Sequence, residues 1–455
     1  MTYQEYFENL KGKSVGVFGI GISNRPLIDL LINAGAKVIA GDKKSFEELG
    51  DVAKDLSQKG VKLILGKDFP DKMEGEILFR TPGLRPDINA ISALLEKGSV
   101  LTSEMEVFFE VCPAGIIAVT GSDGKTTTTT LICEMLKAEG YKVHLGGNIG
   151  KPLLPEIANI SPDDKVVVEL SSFQLMTMKK SPQIAVMTNI SPNHLDMHKG
   201  YQEYIDAKKN IMLYQDENGV LISNTESEET KKAGLEAKGK WLSFSSKGNA
   251  DICLEKGDIC LNGEKIISVS DIKIPGNHNV ENYMAAIGAV YGMVSKESIL
   301  SVAKNFGGVA HRIEFVRELD GVKYYNSSID SSPSRTKNTL SVFKDKVVMI
   351  SGGKDKGIPY DEIGPEIINH VKVLVLIGAT SDAIENAVKK AYEDMKIQPC
   401  VKILRATTYE MAVNLAKDNA KSGDSVILSP ASTSFDMFKN FEERGNLFKK
   451  IVMEL

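Results

Sequence analysis

Short apolar runs ending in glycine-rich or polar turns recur along this chain, and helical repeats follow them. Ser14-Val15-Gly16-Val17-Phe18 leads into Gly19-Ile20-Gly21-Ile22-Ser23-Asn24, then a helical pattern, then Lys37-Val38-Ile39-Ala40 ending at Asp42. Bounded apolar runs of this length read as buried strands, and apolar spacings of three and four read as a helix face. The alternation returns at 116–119, where the helix predicted over 126–139 places Leu131, Ile132, Met135 and Leu136 on one face. Further strands are predicted at 165–170, 184–189, 322–325, 346–350, 371–377, 401–404 and 425–428. Strands alternating with helices imply an α/β fold with parallel sheets. At 455 residues the chain can hold several cores. Three domains are expected: Rossmann-like over 1–112, a central P-loop-type ATPase domain over 113–310, and Rossmann-like again over 311–455.

The strand at 116–119 runs into Thr120-Gly121-Ser122-Asp123-Gly124-Lys125-Thr126-Thr127. A Gly-Lys-Thr between a strand and a helix is a phosphate cradle. Free backbone N–H groups face the anion, the helix dipole favours it, and Lys125 adds a full charge. Thr126 or Thr127 can offer a hydroxyl to Mg²⁺. The general P-loop spacing asks for glycine where Val119 stands; here the glycine is Gly121. Glu169, near the end of the next strand, suits Mg²⁺ support or a helix cap. His194, in Asn193-His194-Leu195-Asp196, suits a metal or an ordinary loop hydrogen bond. Asn279 and Asn282 are three apart and share a face, fitting nucleotide contacts or, for Asn279, a helix cap. The Gly19-x-Gly21 turn, with Asn24 in place of a third glycine, fits a dinucleotide, the diphosphate of another nucleotide, or no ligand. Loops after strands at Arg80-Thr81-Pro82-Gly83, at 352–356 and at 429–436 fall where open α/β sheets take ligands.

Composition narrows the classes. A net charge of −5 leaves no nucleic-acid footprint. Five scattered cysteines without a C-x-x-C pair fit a reducing cytoplasm. Gln4, Glu5, Glu8 and Asn9 leave no apolar stretch for a leader. No apolar run nears the roughly 20 residues of a membrane span. A cytoplasmic, monomeric protein with no integral membrane segment is expected.

These segments and loops together resemble the Mur ligases of peptidoglycan synthesis over nearly the whole chain. The phosphate loop is similar to that family's own form, with Asp123 where the family usually has Asn. Glu-Leu-Ser-Ser-Phe-Gln-Leu at 169–175, His194-Leu195-Asp196, and His278-Asn279 with Asn282 also match. Ser429-Pro430-Ala431-Ser432-Thr433-Ser434-Phe435-Asp436-Met437-Phe438, continuing through Phe441-Glu442-Glu443-Arg444-Gly445, resembles the family's D-glutamate-adding branch. The resemblance implies ATP-driven addition of D-glutamate to UDP-N-acetylmuramoyl-L-alanine through an acyl phosphate. It implies that Ile22, Ser23, Asp42, Thr81 and Asn148 hold the UDP substrate. Gly121, Ser122, Asp123, Gly124, Lys125, Thr126, Thr127, Asn279, Arg312 and Asp330 fall to ATP, and Lys356, Ser434 and Phe441 to D-glutamate. Two Mg²⁺ ions would be served by Thr126 and Glu169, and by His194 with Lys208. An ammonium cannot ligate Mg²⁺, so the resemblance implies a CO₂-derived carbamate on Lys208; a solvated helix lysine is the plainer alternative, and Lys209 its neighbouring rival. Lys125, His194 and Lys208 are the implied catalytic set. One departure stands out: where the family has Asn-Asp-Ser-Lys, this chain has Asn326-Ser327-Ser328-Ile329, so Asp330 and Arg335 are the candidates to restore the missing charges.

Overall fold

A computed structural model describes residues 1–21, 23–192, 197–355 and 357–455. Among these residues the strands form three sheets. The first has the spatial order Lys62–Leu65, Lys37–Asp42, Ser14–Phe18, Ile77–Arg80, Val100–Thr102, all parallel. The order reverses beside Ser14–Phe18, and the loops leaving Ser14–Phe18 and Ile77–Arg80 open on that crevice, the usual ligand position in such sheets.

The second sheet is larger than the sequence pattern indicated. Its centre is parallel, with Gly115–Thr120 between Lys165–Glu169 and Ile184–Met187, and Val143–Gly147 at the edge beyond Lys165–Glu169. On the other side it continues through Val220–Asn224 and Lys240–Ser245 into Ile252–Glu255, Asp258–Leu261 and Glu264–Ser268, the last three antiparallel. The two hairpins turn at Lys256-Gly257 and Asn262-Gly263, each a pair of residues at positive φ. Asn-Gly between apolar runs is the local signal for such a turn.

These two sheets share a core. One cluster joins Val15, Val17, Leu27 and Leu31 of the first to Ile116, Ala118, Val166 and Val168 of the second, through Val107, Phe108 and Val111 on the helix Glu104–Val111. Residues 1–272 and 277–304 accordingly form one compact unit. Arg80 locks its two halves. It is buried at 2% exposure. It donates to the Leu84 carbonyl at 2.6 Å, and across to the Phe173 carbonyl at 2.7 Å and Thr177 Oγ1 at 3.2 Å. Burial pushes its pKa down to about 10. Close by, Arg85 makes a two-pronged bond to Glu203 at 2.8 and 2.9 Å.

Residues 273–276 and 305–455 form the other unit. Its sheet runs Glu314–Leu319, Val322–Asn326, Ser425–Leu428, Val347–Ser351, Val371–Ile377, Lys402–Ala406, parallel except for the first edge strand. Side chains alternate faces along a strand. Val347 and Met349 therefore pack with Ile363, Ile367 and Val388, whereas Val348 and Ile350 pack with Tyr409, Val413, Phe448 and Val452. A strand covered on both faces needs a nearly unbroken apolar run, which Val371–Ile377 has.

Arg80→Met should destabilise the first unit by about 3 kcal/mol, because buried carbonyls on both sides of the junction lose their donor. Urea unfolding checks this; a midpoint equal to that of the unchanged protein would mean that the guanidinium bonds contribute nothing there.

Candidate active site

Gly115–Thr120 points its carboxyl end at the start of the helix Lys125–Ala138. Two glycines shape the loop between them. Gly121 has φ +156° and a Cβ there would strike Thr188; Gly124 has φ +79° and a Cβ there would strike Asn282. Side-chain carbon is excluded at both, so backbone can approach a phosphate closely. The loop is also fastened from outside. Ser122 Oγ is 2.9 Å from Tyr204 Oη and donates to the Ser191 carbonyl at 2.9 Å. The Asp123 N–H donates to Asn189 Oδ1 at 2.9 Å, and Thr188 Oγ1 donates to the Asp123 carbonyl at 2.6 Å. Asp123 itself is exposed. Lys125 curls over its own loop, donating to the carbonyls of Gly121 at 3.0 Å and Ser122 at 2.9 Å. Thr126 and Thr127 occupy the half-buried first turn of the helix.

Asn279 lies inside the helix Asn277–Val290, not at its cap. Its Oδ1 accepts from Asn282 Nδ2 at 3.1 Å, and Asn282 Oδ1 accepts from Thr128 Oγ1 at 3.2 Å. The shared face thus brings both amides to the phosphate-loop helix.

Glu169 ends its strand at 1% exposure. Oε1 accepts from Asn148 Nδ2 at 2.7 Å; Oε2 is buried and has no hydrogen-bond partner among the described residues. An unmatched buried acceptor costs on the order of 1–3 kcal/mol, more if charged. A hard cation would satisfy it. Mg²⁺ favours one or two carboxylates completed by water and phosphate oxygens. No cluster of three or more His, Cys, Asp or Glu suited to a metal occurs among the described residues. Asn148 is engaged here, its N–H also reaching the Glu169 carbonyl at 2.7 Å, and so it stands with the carboxylate of the phosphate site.

Lys208, on the helix Tyr201–Leu213, is 1% exposed. Its Nζ donates to the Gly121 carbonyl at 2.7 Å and lies 4.7 Å from the centre of the Tyr204 ring. Burial, with the Lys125 charge adding to it, holds its pKa well below the ordinary lysine value. A lysine biased towards the neutral amine is a nucleophile. Lys209 faces elsewhere and pairs with Glu236. The solvated-lysine alternative is excluded for Lys208 by its burial. Sequence reasoning passed over His198, which is buried between motifs. Its Nε2 is 3.0 Å from Ser172 Oγ, its Nδ1 is 3.3 Å from Glu203 Oε2, and its ring stacks on Phe173. A histidine in a polar stretch carries no sequence cue to burial.

In the first sheet, Asp42 and Thr81 gather around the Gly19 turn. Asp42 Oδ2 accepts from the Ile20 N–H at 2.8 Å and Oδ1 from Lys44 N–H at 3.0 Å. Thr81 packs against Gly19. Asn24 Nδ2 donates to the Gly19 carbonyl at 2.9 Å, closing the turn with a side chain where a third glycine was absent. Ser23 is exposed just before the helix Asn24–Asn33. Ile22, His194 and Lys356 lie outside the described residues.

In the second unit, Arg312 is exposed on a tight turn where its N–H reaches the Val309 carbonyl at 3.0 Å. Asp330 is buried. It accepts from Ser429 Oγ at 2.7 Å. Burial raises its pKa, opposed by hydrogen bonds from Ser429, Thr339 and Ser327. Arg335 is exposed and donates to the Ile329 carbonyl at 3.1 Å. Ser434 is buried, and Phe441 opens the helix Phe441–Glu454 with its carbonyl accepting from Ser328 Oγ at 2.8 Å. Arg444, which sequence reasoning gave no role, is fully buried. It binds Ser328 through Oγ at 2.9 Å and the carbonyl at 2.8 Å, and the Ser432 carbonyl at 3.1 Å, tying together the loops that carry Asp330 and Ser434.

Comparison with known proteins fits this arrangement. The Mur ligase middle domain matches residues 119–290, and the Mur ligase glutamate ligase domain matches residues 311–432. UDP-N-acetylmuramoylalanine--D-glutamate ligase of Ruminiclostridium cellulolyticum is 52% identical over 459 residues, spanning 99% of each chain. The chain belongs to the Mur ligase family. The protein of the same name from Clostridium perfringens is 50% identical over 453 residues, spanning 99% of this chain and 98% of that one. Among solved Mur ligase structures, the UDP-N-acetylmuramate-alanine ligase of Thermotoga maritima has a TM-score of 0.57 at 15% identity, covering 97% of this chain and 99% of its own. A D-alanyl-D-alanyl-adding ligase from Acinetobacter baumannii has a TM-score of 0.55 at 15% identity, covering 98% and 92%. At such identities the likeness is one of fold.

The folded pKa of Lys208 lies well below its unfolded value of roughly 10.4, so between the two the unfolded chain binds the proton that the folded one releases. The stability this group contributes is full above the unfolded pKa and is lost as pH falls through the folded one. Measured against Lys208→Met in CO₂-depleted buffer, the unchanged protein should gain melting temperature as pH rises from neutral towards that value. A difference independent of pH would sink the neutral-amine reading.

Proposed function

We propose that this Mur ligase joins the amine of D-glutamate to the terminal carboxylate of UDP-N-acetylmuramoyl-L-alanine, converting ATP to ADP and phosphate. The full-length relatives at about half identity bear that activity as their name. The observation that carries the chemistry is the buried Lys208 amine on the Gly121 carbonyl, beside the orphaned oxygen of Glu169.

A carboxylate is a poor acylating group. Transfer of the γ-phosphoryl group to one of its oxygens, with ADP leaving, makes an acyl phosphate. The D-glutamate nitrogen then attacks the carbonyl carbon, loses a proton, and the C–O bond to phosphate breaks. Lys125 and the backbone of 121–127 hold the phosphates in line and balance their charge. When bound, Mg²⁺ supplies further neutralisation of the transferring group; Thr126 and Glu169 would hold one ion, and His194 with Lys208 a second. For Lys208 this requires a carbamate: the neutral amine attacks CO₂, a C–N bond forms, a proton leaves, and an anionic oxygen ligand replaces a cation.

Three domains share the work in this reading. Residues 1–112 hold the UDP substrate through Ile22, Ser23, Asp42 and Thr81. Residues 113–310 hold ATP, with Asn279 on the nucleotide, and bring Asn148, which also holds Glu169, to the UDP substrate. Residues 311–455 bring Arg312 and Asp330 to the nucleotide, and Lys356, Ser434 and Phe441 to D-glutamate. In this reading Asp330, buried and accepting from Ser429 Oγ at 2.7 Å, supplies the acid that the family pattern carries at 327. The enzyme acts as a cytoplasmic monomer in this reading; no helix among the described residues is long and apolar enough to cross a membrane.

With ATP, Mg²⁺ and UDP-N-acetylmuramoyl-L-alanine, phosphate release should require D-glutamate and rise with added bicarbonate. Lys208→Ala should cut it at least a hundredfold, in line with losing a group that stabilises transferring charge. Equal release with L-glutamate or a diamino acid would overturn the assignment of the amine substrate.

A further inference from the structure

Arg312 sits between two residues in the left-handed region: His311 at φ +63° and Ile313 at φ +46°. For a β-branched residue such as Ile313 that conformation is a genuine outlier, kept only where surroundings over-determine it. The surroundings converge on one side chain. Glu314 Oε2 accepts from the His311 N–H at 2.8 Å and from Asn326 Nδ2 at 3.0 Å, and its Oε1 takes Lys449 Nζ at 2.9 Å. Strand register makes this possible, because Glu314 lies directly opposite Asn326. Lys449 arrives from the helix Phe441–Glu454. The other polar groups of the turn are held as well. The Ile329 N–H donates to the His311 carbonyl at 3.1 Å, and the Ile313 N–H donates to Ser327 Oγ at 3.3 Å.

The His311 ring completes the clamp. Its Nδ1 is 3.0 Å from Asn326 Nδ2 and its face meets the edge of Phe441, 5.8 Å between centroids. A Cβ on Gly445 would run into that ring. The glycine of the 441–445 run is thus a packing requirement of the turn beside Arg312.

We propose that Glu314 is a positioning residue: it holds the strained 311–313 turn so that Arg312 is presented to the nucleotide. This rests on Arg312 being a nucleotide contact. Glu314 touches no reacting atom in this scheme and acts through Arg312 alone. The test is a double-mutant cycle in the full-length enzyme, reading KM for ATP and kcat with both other substrates saturating. Arg312→Ala and Glu314→Ala should each raise KM for ATP at least tenfold, with kcat changed less. The double variant should be no worse than Arg312→Ala. Glu314→Gln keeps an acceptor for the His311 and Asn326 donors and should fall between the unchanged enzyme and Glu314→Ala, which guards against simple misfolding of the alanine variant. A Glu314→Ala loss that persists undiminished in the Arg312→Ala background would make Glu314 merely structural and overturn the proposal. An unchanged KM in Arg312→Ala would remove the nucleotide reading of Arg312, and the clamp's purpose with it.

Discussion

The bond from the Lys208 amine to the Gly121 carbonyl is the constraint around which the central site is arranged. It buries a basic group against a loop that must bind anions, next to a second lysine. Such a placement is unfavourable for an ammonium and tolerable for an amine. The helix that bears Lys208 also carries Tyr204, which meets Ser122, and Glu203, which Arg85 grips from the first sheet. One helix therefore sets the phosphate loop's shape, the state of the buried lysine, and the anchorage of the loop that follows Thr81.

Glu169 is the complement of that arrangement. Burial biases the lysine away from its charged form, and the carboxylate lacks a hydrogen-bond partner for one oxygen. Asn148 fixes the first oxygen and leaves the second available. Sites that must receive a cation and a polyanion together are built with such gaps, since complete internal satisfaction would leave a ligand nothing to complete.

Much of this was legible in the sequence, and the reasons are local. Strand-turn-helix periodicity located the phosphate loop, the Gly19 turn and the alternating strands of the third sheet, because those signals depend on near neighbours. The hairpin strands between Ile252 and Ser268 were not anticipated: each is short, and their pairing is decided by two tight turns more than by alternation. Nor did the sequence show that the Asn148 amide donates to Glu169, 21 residues away. Buried polar side chains were the least legible. Nothing near Arg80 or Arg444 in the sequence signals burial, since part of what satisfies them lies far along the chain: Phe173 and Thr177 for Arg80, Ser328 for Arg444. The acid missing at 327 was the reverse case, in which the sequence showed a gap and pointed to Asp330, which is buried and accepts from Ser429.

The core shared by the first two sheets bears on how such enzymes diversify. Val107, Phe108 and Val111 lie in the join, so the first sheet cannot be exchanged as a self-contained cassette. A recombinant that replaced it would have to bring the matching underside of the ATP-handling sheet or re-evolve that seam. The second unit covers both faces of its own sheet with its own helices. Change in the second unit is thus open to shuffling of a whole module, whereas change in the first sheet must accumulate one substitution at a time.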